Sequence, residues 1–364
     1  MSIVLLSTGC GNSGNSGNSG TALMGGAIQG KPLSLSGSVS TLAGTAGNQG
    51  SSDGNGAAAR FYELGGTTTD GTNIYSADSF NRTIRKIVIS TGEVSTLAGT
   101  AGVIGSADGI GAAARFDSPI GITTDGTNLY VTDVYTVRKI VISTGAVTTL
   151  AGTAGASGSS DGIGAAARFD GLKGITTDGT NLYLPDVSNG TVRKIVISTG
   201  AVTTLAGTAG NQGGADGIGA GASFVRLEGI TTDGTNLYLT DSAARTIRKV
   251  VIASGAVSTL AGVFGSPASI DGIGAAAMFV HPVGITTDGT NLYITDQSII
   301  NNTLTPGIMS IRKLVIATGE VTTLVVNNGL NDVAGAFDPP VGIITDGISL
   351  FIVNRSGTSI NRLH

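Results

Sequence analysis

The sequence has no tryptophan, a single cysteine and only two histidines, and each scarcity excludes a class of site. One cysteine, Cys10, cannot form a disulfide within the chain or a site built from several thiolates. Two histidines, His281 and His364, are too few for a zinc site built from histidines. We therefore predict no metal site, no catalytic residues and no cofactor.

Charge is also scarce. Charged residues make up 12% of the chain, against about 25% in an average globular protein, and the net charge is −4. Because nucleic-acid binding needs clustered basic side chains, we predict no nucleic-acid partner. The apolar run near the N-terminus covers only residues 3–6, whereas a helix that spans a bilayer needs about 20 residues, so we predict no transmembrane helix.

Glycine is abundant instead, at 59 of 364 residues, and much of it belongs to an internal repeat. Thr-Asp-Gly occurs six times, a phenylalanine precedes each of these aspartates by nine residues, and an Asp or Asn follows by eight. Five copies continue with an Arg-Lys pair. The six aspartates are Asp70, Asp125, Asp178, Asp233, Asp288 and Asp346.

Each repeat contains four short runs of alternating apolar and polar residues, for example 121–124, 128–132, 137–143 and 146–151. Glycine-containing turns separate them, and four strands per repeat predict one blade of a β-propeller. A long insert, such as residues 152–171, joins consecutive repeats, and its Gly-Ala-rich core predicts one short helical turn.

The ends of the chain indicate how the ring closes. The sixth repeat has three strands and then the chain stops, while residues 38–44 match a fourth strand without a repeat of their own. We predict an all-β fold: a six-bladed β-propeller of four-stranded blades, closed by an N-terminal strand that completes the last blade.

The run from Asp108 to Asp133, with Arg138-Lys139 and residues 147–152 after it, resembles the NHL-repeat family of β-propellers. The resemblance covers about residues 38–364. It implies the propeller fold, and it implies a role among the extracellular and cytoplasmic binding modules, sensor domains and a few metal-dependent lyases of that family.

Residues 1–10, followed by Gly-Asn-Ser repeats up to Gly20, resemble the end of a bacterial lipoprotein signal with a flexible tether. The resemblance implies lipidation of Cys10, an extracellular or cell-envelope location, and contact with a membrane only through that lipid anchor. We divide the chain into a signal-like segment and tether, residues 1–34, and the propeller, residues 35–364.

Most charged residues occupy positions that recur among the repeats, which favours structural roles. We expect Asp-Gly to form the first turn of each blade. We expect the aspartate that ends the second strand, for example Asp186, to accept N–H groups of the loop that follows and to pair with the insert arginine, for example Arg168. We expect the arginine of the Arg-Lys pair to reach an acidic group on the adjacent blade.

The repeats differ just before the first strand, which lines the channel mouth in a propeller. Neutral sequence drift at solvent-exposed positions could explain this variation. The same variation, however, places charges of both signs and one histidine at a single rim. The candidate ligand-binding residues at this rim are Glu63, Lys173, Arg226, Glu228 and His281. Tyr135 and Phe264 are further aromatic candidates, each present in one repeat only.

Three functions remain open. The first is a non-catalytic binding module that recognises a protein, peptide or glycan through the insert-bearing face and the channel mouth. The second is a structural or self-associating surface protein, as the similarity of the repeats suggests. The third is an enzyme with a site at the channel mouth, such as a metal-assisted lyase or a lactonase-like propeller. A calcium ion held by carbonyl and carboxylate oxygens in the channel is an alternative to the absence of a cofactor.

Overall fold

A computed structural model describes residues 32–300, 303–327, 340–354 and 358–364. Across these ranges the strands form six antiparallel sheets around a central channel, so the predicted six-bladed propeller is confirmed. The described part of the chain contains no helix long and apolar enough to cross a membrane.

The strands that form the first three blades, preceded by the strand that closes the ring, are β1 (Val39–Gly44), β2 (Gly54–Asn55), β3 (Leu64–Thr69), β4 (Asn73–Asp78), β5 (Thr83–Val88), β6 (Glu93–Gly99), β7 (Gly109–Ile110), β8 (Pro119–Thr124), β9 (Asn128–Asp133), β10 (Thr136–Val141), β11 (Ala146–Gly152), β12 (Gly162–Ile163), β13 (Thr176–Thr177), β14 (Asn181–Asp186), β15 (Thr191–Val196) and β16 (Ala201–Ala206).

The strands of the last three blades are β17 (Gly217–Ile218), β18 (Leu227–Thr232), β19 (Asn236–Asp241), β20 (Thr246–Val251), β21 (Ala256–Gly262), β22 (Gly272–Ile273), β23 (Pro282–Thr287), β24 (Asn291–Ile300), β25 (Thr303–Val315), β26 (Glu320–Asn327), β27 (Pro340–Thr345), β28 (Leu350–Asn354) and β29 (Ser359–Leu363).

Blades 1 to 5 each contain one more strand than predicted. In blade 2 the order from the channel outwards is β8, β9, β10, β11 and β7, and the two-residue β7 comes from the insert that precedes the blade. Each insert therefore runs along the outer edge of its own blade before it returns to the channel. The predicted helical turn is present as 3-10 helices at Gly56–Ala58, Gly111–Ala113, Gly164–Ala166, Gly219–Gly221 and Gly274–Ala276.

The N-terminal strand closes the ring as predicted. β1 pairs with β29 in antiparallel register from Val39 opposite Leu363 to Gly44 opposite Ser359, and so supplies the outer strand of blade 6. The residues before β1 cross the ends of blades 5 and 6, where the Leu33 N–H donates to Asp288 Oδ2 at 3.2 Å. The pairing of β1 with β29 removes an exposed sheet edge, and such an edge otherwise favours association with another chain.

The hydrophobic core lies between the blades. Side chains alternate between the two faces of a strand, so each blade contributes one face to each neighbouring cluster. The cluster between blades 1 and 2, for example, joins Ile84 and Ala98 to Phe116, Leu129 and other buried residues. In blades 1 to 5 the repeated phenylalanine of the insert is buried in this way, which explains why its distance from the Thr-Asp-Gly turn is constant.

The Thr-Asp-Gly turns form tight hairpins as predicted. In blade 3, Asp178 Oδ1 accepts the N–H groups of Thr180 and Asn181 at 2.8 and 2.6 Å, and Oδ2 accepts the Tyr183 hydroxyl at 2.8 Å. Gly179 has a φ of +86°, which favours glycine. Burial raises the pKa of Asp178, but hydrogen bonds from Asn181, Thr180 and Tyr183 outweigh it and hold this pKa below 3.8.

A fully buried arginine joins the parts of each of the first five blades. It lies in the third strand counted outwards from the channel, which we call the third long strand. In blade 3, Arg193 Nη1 donates to Asp186 Oδ2 at 2.7 Å and Nη2 donates to Asp161 Oδ1 at 2.8 Å. Its guanidinium carbon lies 5.1 Å from the centre of the Phe169 ring. One cation thus fixes the insert, the second strand and the buried aromatic ring together.

Two expectations about these charges were wrong. Asp186 pairs with Arg193 and not with the insert arginine, because Arg168 donates to the carbonyls of Ala165 and Ala167 in its own 3-10 turn. Arg193 reaches Asp161 of its own blade and not an acidic group on the adjacent blade, because the insert folds back along the outer edge of the sheet.

Blade 6 has two amide side chains in place of the buried Arg-Asp pair of the other blades. Asn354 stands where the other blades have the aspartate, and Asn361 stands where they have the arginine. Both side chains are buried, and Asn354 Nδ2 donates to Ser359 Oγ at 2.9 Å. The two charges are absent together, which is expected because either one alone would be a buried charge without its counter-ion.

We predict that Arg193→Met lowers the free energy of unfolding by about 3–5 kcal/mol, since it leaves Asp186 buried without a cation. The double variant Arg193→Asn/Asp186→Asn, which copies blade 6, should recover part of that loss. Denaturant unfolding measures both effects, with Lys194→Met as the control for a neighbouring cation outside the network. A double variant no more stable than Arg193→Met would contradict this explanation.

Candidate functional site

The innermost strand of every blade lines the central channel, and the segments just before these strands form one end of it, which we call the mouth. Buried aspartates at the ends of the second long strands hold these segments. The N–H groups of Asp117 and Ser118 donate to Asp133 Oδ1 at 3.0 and 2.7 Å, and those of Val280 and His281 donate to Asp296 Oδ1 at 3.0 and 2.8 Å. The donors we expected from the following loop are thus mainly in the preceding segment.

Burial affects the charge on these carboxyl groups. Asp296 is almost fully buried, and burial raises its pKa to about 6 despite the hydrogen bonds from His281 and Val280 and the nearby Arg312. Burial also raises the pKa values of the equivalent aspartates in the other blades that have one: Asp78, Asp133, Asp186 and Asp241. Each of these aspartates lies beside the buried arginine of its blade and also accepts one or more N–H groups of the segment before the inner strand. The Arg-Asp pairs of the blades therefore also determine the position of the mouth.

Neighbouring blades meet backbone to backbone at the channel. A Cβ atom on Gly121 would lie 2.3 Å from the Lys173 carbonyl oxygen, and one on Gly229 would lie 2.4 Å from that of Val283. The Thr132 hydroxyl donates to the same Lys173 carbonyl at 2.7 Å. The inner strands of neighbouring blades approach so closely that this position requires glycine. The same contact fixes the backbone of the mouth residues in the next blade.

The channel encloses a cavity of about 340 Å³. Below the mouth its wall is mainly apolar, because five blades place an isoleucine three residues before the turn aspartate and blade 1 places Thr67 there. We call these residues the isoleucine ring, and its members are Ile122, Ile175, Ile230, Ile285 and Ile343. Above the ring, the charged residues that line the cavity are Glu63, Lys173 and Glu228.

The structure brings four of the five predicted rim residues together. Glu63, Lys173 and Glu228 line the cavity, and Arg226 lies beside it with its Nε donating to Glu228 Oε1 at 2.6 Å. His281 is half-buried, does not line the cavity, and accepts the Gln297 N–H at its carbonyl oxygen at 3.0 Å. A role of these residues in ligand binding stays a prediction.

Other features of the site were missed. Phe80, in the loop after β4, lines the cavity, is half-exposed, and stacks on Tyr62 with ring centres 4.5 Å apart. Phe80 occurs in one repeat only, and this feature of the sequence could have identified it as a candidate. Neither Tyr135 nor Phe264, the aromatic candidates from the sequence, lines the channel cavity. Among the described residues, no group of three or more His, Cys, Asp and Glu side chains is placed to hold a metal ion.

Glu63 has an unusual backbone. Its φ is +54°, a left-handed conformation that costs a residue with a side chain about 1 kcal/mol or more. The equivalent residue of blade 3 is Gly171, with a φ of +75°. Hydrogen bonds keep this conformation, since the Glu63 carbonyl oxygen accepts the Ser79 N–H at 3.1 Å. A carboxylate at this point of the mouth is thus present despite an unfavourable backbone.

No protein-family model matches this chain, and no curated protein matches it. Among solved structures, the chain is similar to an auxiliary nutrient binding protein from Bacteroides thetaiotaomicron VPI-5482, with a TM-score of 0.64, 16% identity, and coverage of 90% of this chain and 76% of that one. An auxiliary nutrient binding protein from Bacteroides ovatus ATCC 8483 gives a TM-score of 0.62, 14% identity and the same coverage, 90% and 76%.

A catalytically inactive virginiamycin B lyase from Staphylococcus aureus, solved with quinupristin, is also similar, with a TM-score of 0.51, 15% identity, and coverage of 87% and 82%. At these identities the likeness shows the propeller fold alone. The resemblance to NHL repeats stays a prediction.

We predict that Asp296 makes the protein more stable as the pH falls from about 6 to about 4. Its pKa rises from the ordinary 3.8 to about 6 on folding, so the folded protein binds this proton more tightly than the unfolded chain does. Relative to Asp296→Asn, the free energy of unfolding should therefore increase by about 1–3 kcal/mol over that range, measured by denaturant unfolding at several pH values.

Asp178→Asn provides a control of opposite sign. Because folding lowers the pKa of Asp178, its stabilisation is present above about pH 3.8 and is lost as the pH falls further. A difference between the parent and Asp296→Asn that stays constant from about pH 4 to 7 would mean that burial does not control this carboxyl group.

Proposed function

We propose that this protein is a non-catalytic binding module that takes its ligand at the mouth of the channel. The observation that carries the proposal is the cavity of about 340 Å³, in which an apolar wall lies directly below a few charged side chains. Binding sites for small ligands combine these two features, since the apolar wall supplies affinity and the polar groups fix the orientation.

Contacts of the polar groups at the mouth favour binding over chemistry. Arg226 is paired with Glu228, and the Ser79 hydroxyl donates to the Pro119 carbonyl at 2.6 Å. Glu228, a possible base, and Ser79, a possible nucleophile, are thus engaged in contacts that support the mouth.

The comparisons support the same proposal at the level of the fold. Two of the similar structures are described as auxiliary nutrient binding proteins. The resemblance to NHL repeats, which we include in the proposal, also agrees with a binding module. The similar structure of a lyase makes an enzyme the second candidate. Of the three partner classes, the dimensions of the cavity favour a peptide or another small ligand over a large protein surface, and the few aromatic residues disfavour a glycan.

A substitution that fills the mouth tests this proposal. Val283 is partly exposed and lines the cavity, so Val283→Trp should block entry without changing the cores between the blades. Ile218→Trp is the matched control, because Ile218 is 70% exposed on the outer edge of blade 4. We expect ligands found by calorimetric titration of a panel of amino acids, peptides and oligosaccharides to bind Val283→Trp about 10-fold more weakly or worse, and Ile218→Trp normally.

Equal binding of such ligands to the parent and to both variants would contradict a site in the channel. Conversion of a bound ligand into a product, followed by chromatography, would favour the enzyme.

We also propose an extracellular or cell-envelope location with Cys10 as the lipid-modified residue, although residues 1–31 lie outside the described part of the chain. The path of residues 32–38 supports it: Leu33 contacts Asp288 in a Thr-Asp-Gly turn, and these turns lie at the opposite end of the blades from the mouth. An anchor at the N-terminus would thus leave the mouth accessible.

Incorporation of a labelled fatty acid in a bacterial host tests this location. We expect label in the parent and none in Cys10→Ser, with the same amount of folded protein in both. Label that persists in Cys10→Ser, or its absence from the parent, would count against a lipid anchor at this residue.

A further inference from the structure

The charges at the mouth are separated by blade. Inner strands follow one another around the channel in the order β3, β8, β13, β18, β23 and β27. Glu63 precedes β3 in blade 1, Lys173 precedes β13 in blade 3, and Arg226 and Glu228 belong to blade 4. In a ring of six, blades 1 and 4 face each other, so Glu63 stands across the channel from the Arg226-Glu228 pair.

The pairing of Arg226 with Glu228 leaves two opposite charges for a ligand. Glu228 is the more buried partner, with 12% of its side chain exposed, and it is neutralised by Arg226 at 2.6 Å. In the residues that the structure describes, neither Glu63 nor Lys173 has an ion-pair partner within 4.0 Å. The mouth thus presents an unpaired carboxylate from blade 1 and an unpaired ammonium from blade 3.

The surface between these charges is mainly apolar. Ile120 and Val283 line the cavity at the level of Lys173, and the isoleucine ring lies below them. Phe80 lies next to the acidic side of the mouth, in the same cavity. A ligand that satisfies both charges therefore spans an apolar opening, and an apolar side chain that points downwards would be removed from water.

We infer that the site binds a short peptide with free ends and aliphatic side chains. Its ammonium group pairs with Glu63, its carboxylate pairs with Lys173, and an aliphatic side chain occupies the isoleucine ring. The two unpaired charges stand two blades apart, so a dipeptide or tripeptide fits them better than a free amino acid, whose charges are adjacent. The strained backbone at Glu63 supports this assignment, because a carboxylate is kept at a position where glycine would cost less.

This inference rests on the proposed function, and the test separates the two. The probes are dileucine, its N-acetylated form, its C-terminal amide and diserine, titrated calorimetrically into the full chain. We expect dileucine to bind, diserine to bind about 10-fold more weakly, and removal of either end charge to cost about 10-fold.

Matched variants assign each end of the peptide. In Glu63→Gln, acetylation should no longer weaken binding, and in Lys173→Met, amidation should no longer weaken it, because the protein charge that each end pairs with is already absent. Ile218→Trp serves as the surface control and should behave as the parent does. An acetylation effect that is equal in the parent and in Glu63→Gln would overturn the assignment.

Two other results have different meanings. If dileucine does not bind but another ligand binds in a manner sensitive to Val283→Trp, the peptide inference fails and the proposed function stands. If no ligand of the panel is sensitive to Val283→Trp, both fail.

Discussion

The buried arginine of the third long strand is the interaction on which the blades and the mouth both depend. In blade 3, Arg193 joins the insert through Asp161 and the second strand through Asp186, while its guanidinium covers Phe169. The same aspartate accepts the N–H of Asp170, in the segment that leads to the channel, at 2.8 Å. The buried ion pair of the blade thus also positions the residues of the mouth, so a change in the pair would affect both.

Glycines and hydroxyl groups then determine how closely the blades approach at the channel. The contact of Gly121 with the Lys173 carbonyl, reinforced by Thr132, leaves space for no side chain between the inner strands. The cavity is consequently lined by the few positions that point inwards. The isoleucine ring recurs in five blades while the mouth residues differ, so the repeat supplies the apolar wall and the residues that vary lie above it.

The sequence predicted the repeated elements better than the contacts between them. Six copies of Thr-Asp-Gly, each nine residues after a phenylalanine, led directly to the blades, and the unmatched strand at residues 38–44 led to the closure of the ring. The predicted partner of Asp186 was wrong because the path of the insert depends on contacts that its own sequence does not show. In the structure it runs along the outer edge of the sheet, which brings Asp161 to Arg193 and leaves Arg168 in its own turn.

Local patterns by themselves determined the strands, the turns and the ring of six blades, because alternation, Asp-Gly turns and a constant repeat length act over short distances along the chain. They also indicated where charges would gather. Only the tertiary structure decided that Glu63 faces the Arg226-Glu228 pair, that Phe80 lines the cavity and that His281 does not. These relations join different blades, and the distance between blades around a ring depends on packing and glycine contacts that no single repeat encodes.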